Sequence, residues 1–585
     1  MPIVTPDILS EGKKLPAEFN LLSLEVIREV NRIPFAQLVL EDGNPSEGKF
    51  PLSGLAFFEP GKEIEIKLRY EGEGNASESV FKGMVHRHNL EGGKKKAILT
   101  VLLKDKAYAM TMGRKSQVFS EQTDADIIKS LIEAAGATAG TIPATEPTHP
   151  EIVQYYCSDW DFMLARAEVQ NLLVTVKDGE VALHKLEVAS PRGKTHTYTY
   201  GINEIHSFEI EADAGEQYEK ASATYWDPKT QQMAEKSEAA PFSLKQTNLD
   251  GAKLAPLIGG KELLLSSAVA LDPKEAKSWA DGRLARSRLA LYKGAVSVAG
   301  FADIELLDLL KLEKFGARFT GTTLVTGLRH TVSKDNWETD IQFGLPATPY
   351  TQRPDIQDAP AGGLLPAVHG LQPGLVEALE EDTDGEFRVK VKLPGIDPDT
   401  GIVWARLAAP EAGKERGYFF RPEQGDEVVV GFFNDDPRQA VILGALFGSV
   451  NVPPPGMETF DAENPLKGIV SKTGIKMAID DTAKTLTLLT SESQSVVIDE
   501  QNKKITITDG NANSITLDSN GITLNAAGDF TVQASGDIKL NGANVTIGGA
   551  DITLDGSGNA TVNGSDIALN GSGNVTISGS QVDVQ

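Results

Sequence analysis

The chain has very few of the residues that build covalent cross-links. Among its 585 residues there is one cysteine, Cys157, so an intramolecular disulfide framework is excluded. We expect Cys157 to be a buried, reduced thiol. The N-terminal residues lack the charged and then apolar layout of a signal peptide. No run approaches the ~20 apolar residues that a membrane-spanning helix needs. The sequence therefore predicts no export by the general secretion route.

Positive charge is also scarce. Against 82 Asp and Glu there are 56 Lys and Arg, which gives a net charge of −26. This excess opposes nonspecific binding to nucleic acid or to anionic membranes. Residues 374–447 read as five short strands of an OB-like barrel, and there 8 Lys and Arg stand against 15 Asp and Glu. We therefore predict no nucleic-acid binding, and we interpret Tyr418, Phe419 and Phe420 as packing between subunits.

The last part of the chain lacks whole classes of side chain. After residue 505 there is no Pro, Cys, His, Trp, Tyr or Met, and Phe530 is the only aromatic residue. What is present, from about Ile505 to the end, is a repeat: Asp or Asn, an apolar–polar–apolar triplet, and a Gly-containing turn. Triplets begin at residues 530, 538, 545, 552, 560, 567, 575 and 582, in steps of 8, 7, 7, 8, 7, 8 and 7. Strict alternation puts both apolar side chains of a triplet on one face. So short a strand must stack on copies of itself, which predicts a β-rod.

The repeat length restricts the kind of rod. Seven or eight residues supply one strand and a corner, which is too short for a full turn of a single-chain β-helix. We therefore predict an intertwined trimeric β-helix, because three chains together close the sheets and remove exposed edges. A calcium-binding roll stays an alternative, although its nine-residue units do not fit. The predicted rod-core residues are Phe530, Val532, Ile538, Leu540, Val545, Ile547, Ile552, Leu554, Ile567, Leu569, Val575 and Ile577.

The remainder of the chain reads as mainly β with a few helices. Strands separated by Gly-rich turns fill residues 16–110. One helix is predicted to open at Thr123-Asp124, a second to be capped by Ser158, and a third to run from about Pro273 to Tyr292. Segments rich in Pro and Gly at 345–372 and Pro at 451–467 read as linkers.

No motif predicts catalysis, a cofactor or a metal site. Ser158 is better explained as a helix cap than as a nucleophile. His86 and His88 have metal-like spacing on a strand, but no third ligand is near in sequence, so we interpret them as surface residues. Asp461 and Glu463 lie in a short linker and are interpreted as a solvated pair rather than a glycosidase dyad. We therefore predict that the chain is not an enzyme.

Several segments together resemble the VgrG-type spike of contractile injection systems, which include type VI secretion and extracellular phage-tail-like particles. The most specific of them runs from Gly417-Tyr418-Phe419-Phe420-Arg421-Pro422 through Asp435-Asp436-Pro437-Arg438 to Gly444. The segments Tyr156 to Met163 and Val325 to His330, with Trp337, are also similar to that family. The resemblance implies a phage-hub-like domain at 1–345 with two tube-like β-barrels and an α+β insert. A linker would follow at 346–372, an OB-fold neck at 373–450, a second linker at 451–467 and a trimeric β-helix spike at 468–585.

The resemblance also implies partners. The spike would be a homotrimer that meets an inner-tube (Hcp-like) protein and baseplate proteins, carries effector cargo and pierces the target membrane mechanically. A PAAR-repeat tip protein would contact Val582, Val584 and Gln585, and a chain that stops at Gln585 is expected to carry no fused effector domain. Assembly would take place in the bacterial cytoplasm, before release or injection. A trimeric adhesin or a tailspike stalk stays an alternative, since both use similar rods.

Overall fold

The computed structural model describes residues 3–43, 48–72, 77–93, 96–186, 193–227, 232–242, 244, 246–267, 271–334, 336–353, 368–383, 385–395, 401–436, 439–458 and 461–584. Two compact units make up the chain: Met1–Val368 with Asn434–Asp436, and His369–Phe433 with Pro437–Gln585. Strands dominate both units, so the predicted fold class, mainly β with a few helices, is confirmed.

Most of the first unit is β-structure. Its strands are β1 (Val4–Ser10), β2 (Lys13–Lys14), β3 (Leu21–Glu29), β4 (Phe35–Asp42), β5 (Glu63–Tyr70), β6 (Glu78–Gly92), β7 (Ala97–Lys104), β8 (Lys115–Thr123), β9 (Thr138–Ala139), β10 (Thr148–Cys157), β11 (Leu172–Lys177), β12 (Glu180–Lys185), β13 (Thr195–Thr199), β14 (Ile205–Ala212), β15 (Lys220–Asp227), β16 (Gln232–Met233), β17 (Ser237–Glu238), β18 (Glu262–Ser267), β19 (Tyr292–Ala299), β20 (Leu309–Glu313), β21 (Gly321–Ser333) and β22 (Asn336–Phe343).

A 13-stranded sheet forms the body of this unit. Its order is β14-β19-β22-β21-β3-β4-β7-β6-β5-β1-β2, and β20 joins β13 to β21. One apolar core contains residues of β1 and β3–β7, among them Leu38 and Ile66, and a second contains residues of β19–β22, among them Val296 and Ile341. The antiparallel pairing of β21 with β3 connects the two halves. Two cores thus lie along one continuous sheet, and the two tube-like barrels predicted for the hub stay a prediction.

Four α-helices lie in the described part of this unit: α1 (Asp124–Ala134), α2 (Asp159–Val169), α3 (Gly251–Leu254) and α4 (Pro273–Ala290). The predicted helix starts are confirmed, because Thr123 caps α1 and the Ser158 hydroxyl accepts from the Asp161 backbone N–H at 3.1 Å. The predicted end of α4 at Tyr292 is wrong, since Tyr292 already begins β19 with its side chain fully buried. Among the described residues no helix is both long and apolar enough to cross a membrane.

The second unit begins with a closed five-stranded barrel in the order β23-β24-β25-β29-β28. Its core holds Val376, Val391, Val428 and Val430, which alternate along their strands with outward residues. Gly374 faces this core, because a Cβ built there would lie 2.5 Å from the Val391 Cγ1 atom. The strands, including a small outer hairpin, are β23 (Gln372–Ala378), β24 (Val389–Lys392), β25 (Ile402–Leu407), β26 (Ala412–Gly413), β27 (Arg416–Gly417), β28 (Glu427–Phe432) and β29 (Ala440–Ala445).

Seven further strands follow the barrel and form one antiparallel sheet in sequence order. They are β30 (Leu466–Val470), β31 (Lys476–Asp480), β32 (Thr485–Leu489), β33 (Ser495–Asp499), β34 (Lys504–Thr508), β35 (Ser514–Asp518) and β36 (Gly521–Asn525). We call residues 466–525 the meander and residues 526–584 the terminal repeat.

Candidate functional site

The meander forms within one chain because its strands and turns have matching lengths. Each strand has five residues, and strands begin at 466, 476, 485, 495, 504, 514 and 521. Turns of four or five residues separate the first six strands, and a two-residue turn separates the last two. These are the loop lengths that close antiparallel hairpins. Every strand of the meander is therefore hydrogen-bonded to its neighbour in sequence.

Side chains of the turns hold the meander together locally. The Asp509 carboxylate accepts from the backbone N–H groups of Asn511 and Asn513 at 2.9 and 2.8 Å. Asp499 accepts from the Asn502 N–H at 2.8 Å in the turn before it. Asp480 does the same for Ala483 at 2.8 Å. Short acidic side chains stabilise turns in this way without distant partners. The turns of the meander are thus specified by their own sequence.

One face of the meander is apolar. Cross-strand pairing aligns two rows of side chains on it, because residues i and i+2 of a strand share a face. The first row is Ile469, Met477, Leu488, Val496, Ile507, Ile515 and Leu524. The second row is Ile479, Leu486, Ile498, Ile505, Leu517 and Ile522. Between them, on the opposite face, lie Gly468, Ala478, Thr487, Val497, Thr506, Thr516 and Thr523.

The apolar face is open to solvent in the single chain. Ile507, in the middle of the first row, is 40% exposed, and Leu524 at its end is 53% exposed. The first row lines a groove of about 1100 Å³, and Phe530 of the terminal repeat lies at the same groove. A contiguous apolar surface of this kind marks an interaction site.

The terminal repeat differs from the meander in having no in-chain strand. Its residues are irregular by hydrogen bonding, and all side chains from 527 to 584 are exposed. Ile552 and Leu554, for example, expose 55% and 81% of their surface. Those predicted rod-core residues which are exposed in the same way are Phe530, Val532, Ile538, Leu540, Val545, Ile547, Ile567, Leu569, Val575 and Ile577. Of the predicted tip contacts, Val582 and Val584 are exposed, while Gln585 lies outside the described residues. Their assignment to a rod core and a tip stays a prediction.

One sequence-based expectation needs correction. A uniform repeat starting at about Ile505 is wrong for residues 505–525, which belong to β34–β36. The reason is turn length: β34 and β35 start ten residues apart and are joined by a five-residue turn, while β35 and β36 start seven residues apart and are joined by a two-residue turn, so both pairs close as hairpins within the chain. The alternation of Leu486, Leu488, Val496 and Ile498 in the sequence is the signal for these in-chain strands.

The barrel carries an exposed aromatic segment directly after its outer hairpin. Tyr418, Phe419 and Phe420 are all more than half exposed, and the Arg421 guanidinium lies 5.1 Å from the centre of the Phe419 ring. Exposed aromatic residues are enriched at protein–protein contacts. Their predicted packing between subunits stays a prediction.

Two family models match the chain. The first, described as the Alg8 N-terminal domain, matches residues 1–334, which is more than half of the chain. The chain belongs to this family. The second, described as the Type VI secretion system/phage-baseplate injector OB domain, matches residues 372–447. These residues contain every strand of the closed barrel, so the predicted OB-type barrel is confirmed.

Curated relatives are similar over short segments. The actin cross-linking toxin VgrG1 of Vibrio cholerae is 35% identical over 75 residues, which is 12% of this chain and 7% of the relative. The type VI secretion system spike protein VgrG5 of Pseudomonas aeruginosa is 36% identical over 93 residues, which is 15% of this chain and 12% of the relative. The chain thus matches only a small part of the length of these relatives. The predicted resemblance to VgrG-type spikes is nevertheless confirmed.

Among solved structures, the 43 kDa tail protein of prophage MuSo2 from Shewanella oneidensis is similar to 59% of this chain and to 99% of its own length. The TM-score is 0.44 and the identity is 12%.

The other candidate residues have structural surroundings. Cys157 is half-buried rather than buried as predicted, because it ends β10 at the edge of the core formed by α1 and α2. His86 lies at a β-bulge of β6 with its ring 4.2 Å from that of Tyr108. Asp461 accepts from the Glu463 backbone N–H at 3.0 Å and so closes a turn. No group of three or more potential metal ligands occurs in the described part of the chain.

A buried polar network in the first unit was not predicted. The carboxylate of Asp124 is fully buried and accepts from Arg166 at 2.7 and 3.0 Å, from Gln170 at 2.7 Å, and contacts His149 at 3.1 Å. Arg166 also donates to Glu275 of α4 at 2.7 Å. The network therefore connects α1, α2, β10 and α4. No local pattern in the sequence predicts this network, because its members are separated by up to about 150 residues.

Proposed function

We propose that the chain is the structural, membrane-piercing central spike of a bacterial contractile injection system. The observation that carries this proposal is the order of parts in the second unit. An injector-type OB barrel is followed by a meander with one exposed apolar face, and then by a terminal repeat of apolar triplets that has no strand in the single chain. Apolar side chains that alternate with polar ones and are all exposed in the single chain need partner strands to be buried.

Three copies of the chain would supply those partners. An intertwined trimer covers the apolar face of each meander and pairs the backbone of each terminal repeat with its neighbours, so that few sheet edges remain open. The proposed rod core is the set of triplet residues given above. Residues 1–345 would be the hub, 373–450 the neck and 468–585 the spike, with linkers at 346–372 and 451–467. A rod without cavities or flexible loops suits a part that transmits force.

The proposed partners follow from this role. The hub would meet a tube of Hcp-like protein and the baseplate, and the end of the rod would carry a PAAR-type tip. Effectors would be carried as cargo. The spike would assemble in the bacterial cytoplasm and leave the cell by injection or release. No catalytic residue, cofactor or metal is part of the proposal.

The mass of the purified protein tests the trimer. The expected native mass is three times 62.7 kDa, the mass of one chain, and it should persist on dilution. A stable species of 62.7 kDa would contradict the proposal, because the apolar face and the terminal repeat would then have no partner.

Binding of a recombinant PAAR-repeat protein tests the tip. The double variant Val582→Asp/Val584→Asp should lose this binding, because it places charges on the apolar end of the rod. The matched control Thr576→Asp changes the middle residue of a triplet, which faces outward by alternation, and should keep it. Equal binding by both variants would exclude the proposed tip contact.

A trimeric adhesin or tailspike stalk is the alternative function, since its rod would have the same physical requirements. Co-purification of the full chain with inner-tube and baseplate proteins from its own cell separates the two. Association with these proteins supports the spike, whereas binding to a surface polysaccharide without them supports a stalk.

A further inference from the structure

The terminal repeat contains little information about register. Its triplets are nearly interchangeable: Val545-Thr546-Ile547 has the same sequence as Val575-Thr576-Ile577. Sliding one chain by a whole repeat therefore places equivalent apolar side chains against each other again. Register is weakly specified wherever a shift restores the same pattern. Something outside the terminal repeat has to align three chains.

The meander has the properties that alignment requires. All its strands pair within one chain, so each copy can form it before meeting another copy. Its turns are closed by their own side chains, as in the hydrogen bonds from Asn511 and Asn513 to Asp509. Hairpins with short loops form fast, because little chain entropy is lost on closing them. The meander is thus a preformed element, and the terminal repeat is not.

The apolar face of the meander also indicates its occupant. The opposite face is mainly Thr and small residues, so only one face needs cover. The terminal repeat continues directly from β36 and has no strand in its own chain, so whatever covers the meander must also deliver partner strands for residues 526–584. Two further copies of the same chain satisfy both needs at once.

The groove supports this continuity. Phe530, the first apolar residue of the terminal repeat and its only aromatic one, lines the same groove as Ile507 and Leu524. The covered surface thus extends from the meander across the junction at Asn525 into the terminal repeat.

We propose that the meander, residues 466–525, packs its apolar face against the meanders of two further copies first, and so sets the register from which the terminal repeat winds toward its C-terminal end. This inference rests on the proposed trimeric spike. Once three meanders are joined, the terminal repeats are held at high local concentration and in one alignment, and winding proceeds from the junction outward.

A single basic residue makes the direction of winding measurable. Lys539 is the only Lys or Arg after residue 504, and its side chain is exposed in the single chain. Trypsin can therefore cut the terminal repeat only after Lys539, releasing residues 540–585. A backbone wound into a rod resists this cut, whereas an unwound one does not. The cut reports winding close to the junction, independently of any contact between copies made elsewhere in the chain.

Three full-length variants test the proposal. Ile507→Asp places a charge on the apolar face of the meander, and Thr506→Asp places the same charge on the opposite face of the same strand. Ile577→Asp places it near the far end of the terminal repeat. We expect cleavage after Lys539 to accelerate by at least about tenfold in Ile507→Asp, because cutting tracks the population of open chains. Cleavage in Thr506→Asp and Ile577→Asp should match the unchanged protein.

Two results would overturn the proposal. One is protection of Lys539 in Ile507→Asp, which would mean that the terminal repeat winds without the meander. The other is rapid cleavage in Ile577→Asp, which would mean that winding begins at the far end; this arm decides the question even if Ile507→Asp does not fold. Failure of the trimeric spike itself has a different signature, since the unchanged protein would then have the mass of one chain and be cut freely.

Discussion

We predict that replacing Asp124 by Asn causes a large, local loss of stability in the first unit. The Asp124 carboxylate is fully buried, and Arg166, Gln170 and His149 surround it at 2.7 to 3.1 Å. Replacing it by Asn keeps the volume but removes the charge that balances the Arg166 guanidinium. Breaking a buried ion pair by removing one partner costs about 3–5 kcal/mol. Because Arg166 keeps its contact with Glu275, we expect the lower end, about 3 kcal/mol.

Calorimetry of the full chain measures this loss. For a unit of about 370 residues, about 3 kcal/mol corresponds to a fall of about 4 °C in the melting temperature of its transition. The matched control is Glu133→Gln, which removes a charge from the exposed side of the same helix and should shift that transition by far less. An Asp124→Asn transition that coincides with the unchanged one would refute the view that the network stabilises the unit.

The stabilisation by Asp124 should depend on pH in a direction that follows from the shift of its pKa. Burial alone would raise the pKa of Asp124, but hydrogen bonds and charges of Arg166 and His149 outweigh it and hold this pKa below its ordinary value. The stabilisation is therefore complete above about pH 4, where an unfolded Asp is ionised, and disappears as the pH falls through the lowered folded pKa. The difference in melting temperature between the protein and Asp124→Asn should shrink in acid. A difference that grows there would contradict the assignment.

Three further outcomes are expected. Gly374→Ala should destabilise the OB barrel by about 1–3 kcal/mol, because the new methyl group meets side chains of the core. The control Gly444→Ala should not destabilise it, because a Cβ there meets nothing within 4 Å. Trp404 fluorescence in denaturant titrations measures the stability of both variants. The side-chain hydrogen bond from Asn513 lowers the pKa of Asp509. The turn closed by Asp509 should therefore be fully stable at pH values above the ordinary pKa of Asp and loosen as the pH falls through the lowered pKa of Asp509. Limited proteolysis with pepsin detects this loosening. Excess EDTA should leave the melting profile unchanged, and a fall in melting temperature would favour the calcium-binding roll.

Local signals in the sequence predicted local structure well. The sequence predicts Ser158 as a helix cap and a helix start at Thr123-Asp124, and in the structure both hydroxyls accept a capping hydrogen bond from a backbone N–H of the first turn. The five strands of the barrel were predicted from short apolar runs between Gly, Asp and Pro turns. The end of α4 was missed, because the helical pattern continues to Tyr292 while packing in the sheet claims that residue for β19.

Contacts between residues that lie far apart in the chain could not be predicted from the sequence. The pairing of β21 with β3 joins segments about 300 residues apart, and the cluster around Asp124 gathers side chains from three helices and a strand. Neither has a periodic signal, since each depends on packing between segments far apart in the sequence. The candidate site was predicted in part: its apolar triplets are visible in the repeat, but the turns of the meander before them vary from two to five residues, so its strands have no constant period in the sequence.

The end of in-chain strand pairing at Asn525 connects the architecture with the proposed function. Before it, turns of two to five residues join neighbouring strands, and the chain closes its own hydrogen bonds. After it, triplets that start seven or eight residues apart continue the alternating pattern but form no strand in the described residues, and in the proposed trimer other chains would supply their partner strands. A rod made only of terminal repeats could slip between equivalent registers. A sheet made only of meander strands would remain open on its apolar face. A chain that joins the meander to the terminal repeat avoids both problems. The meander, which pairs within one chain, can align the terminal repeats, which would have to pair between chains.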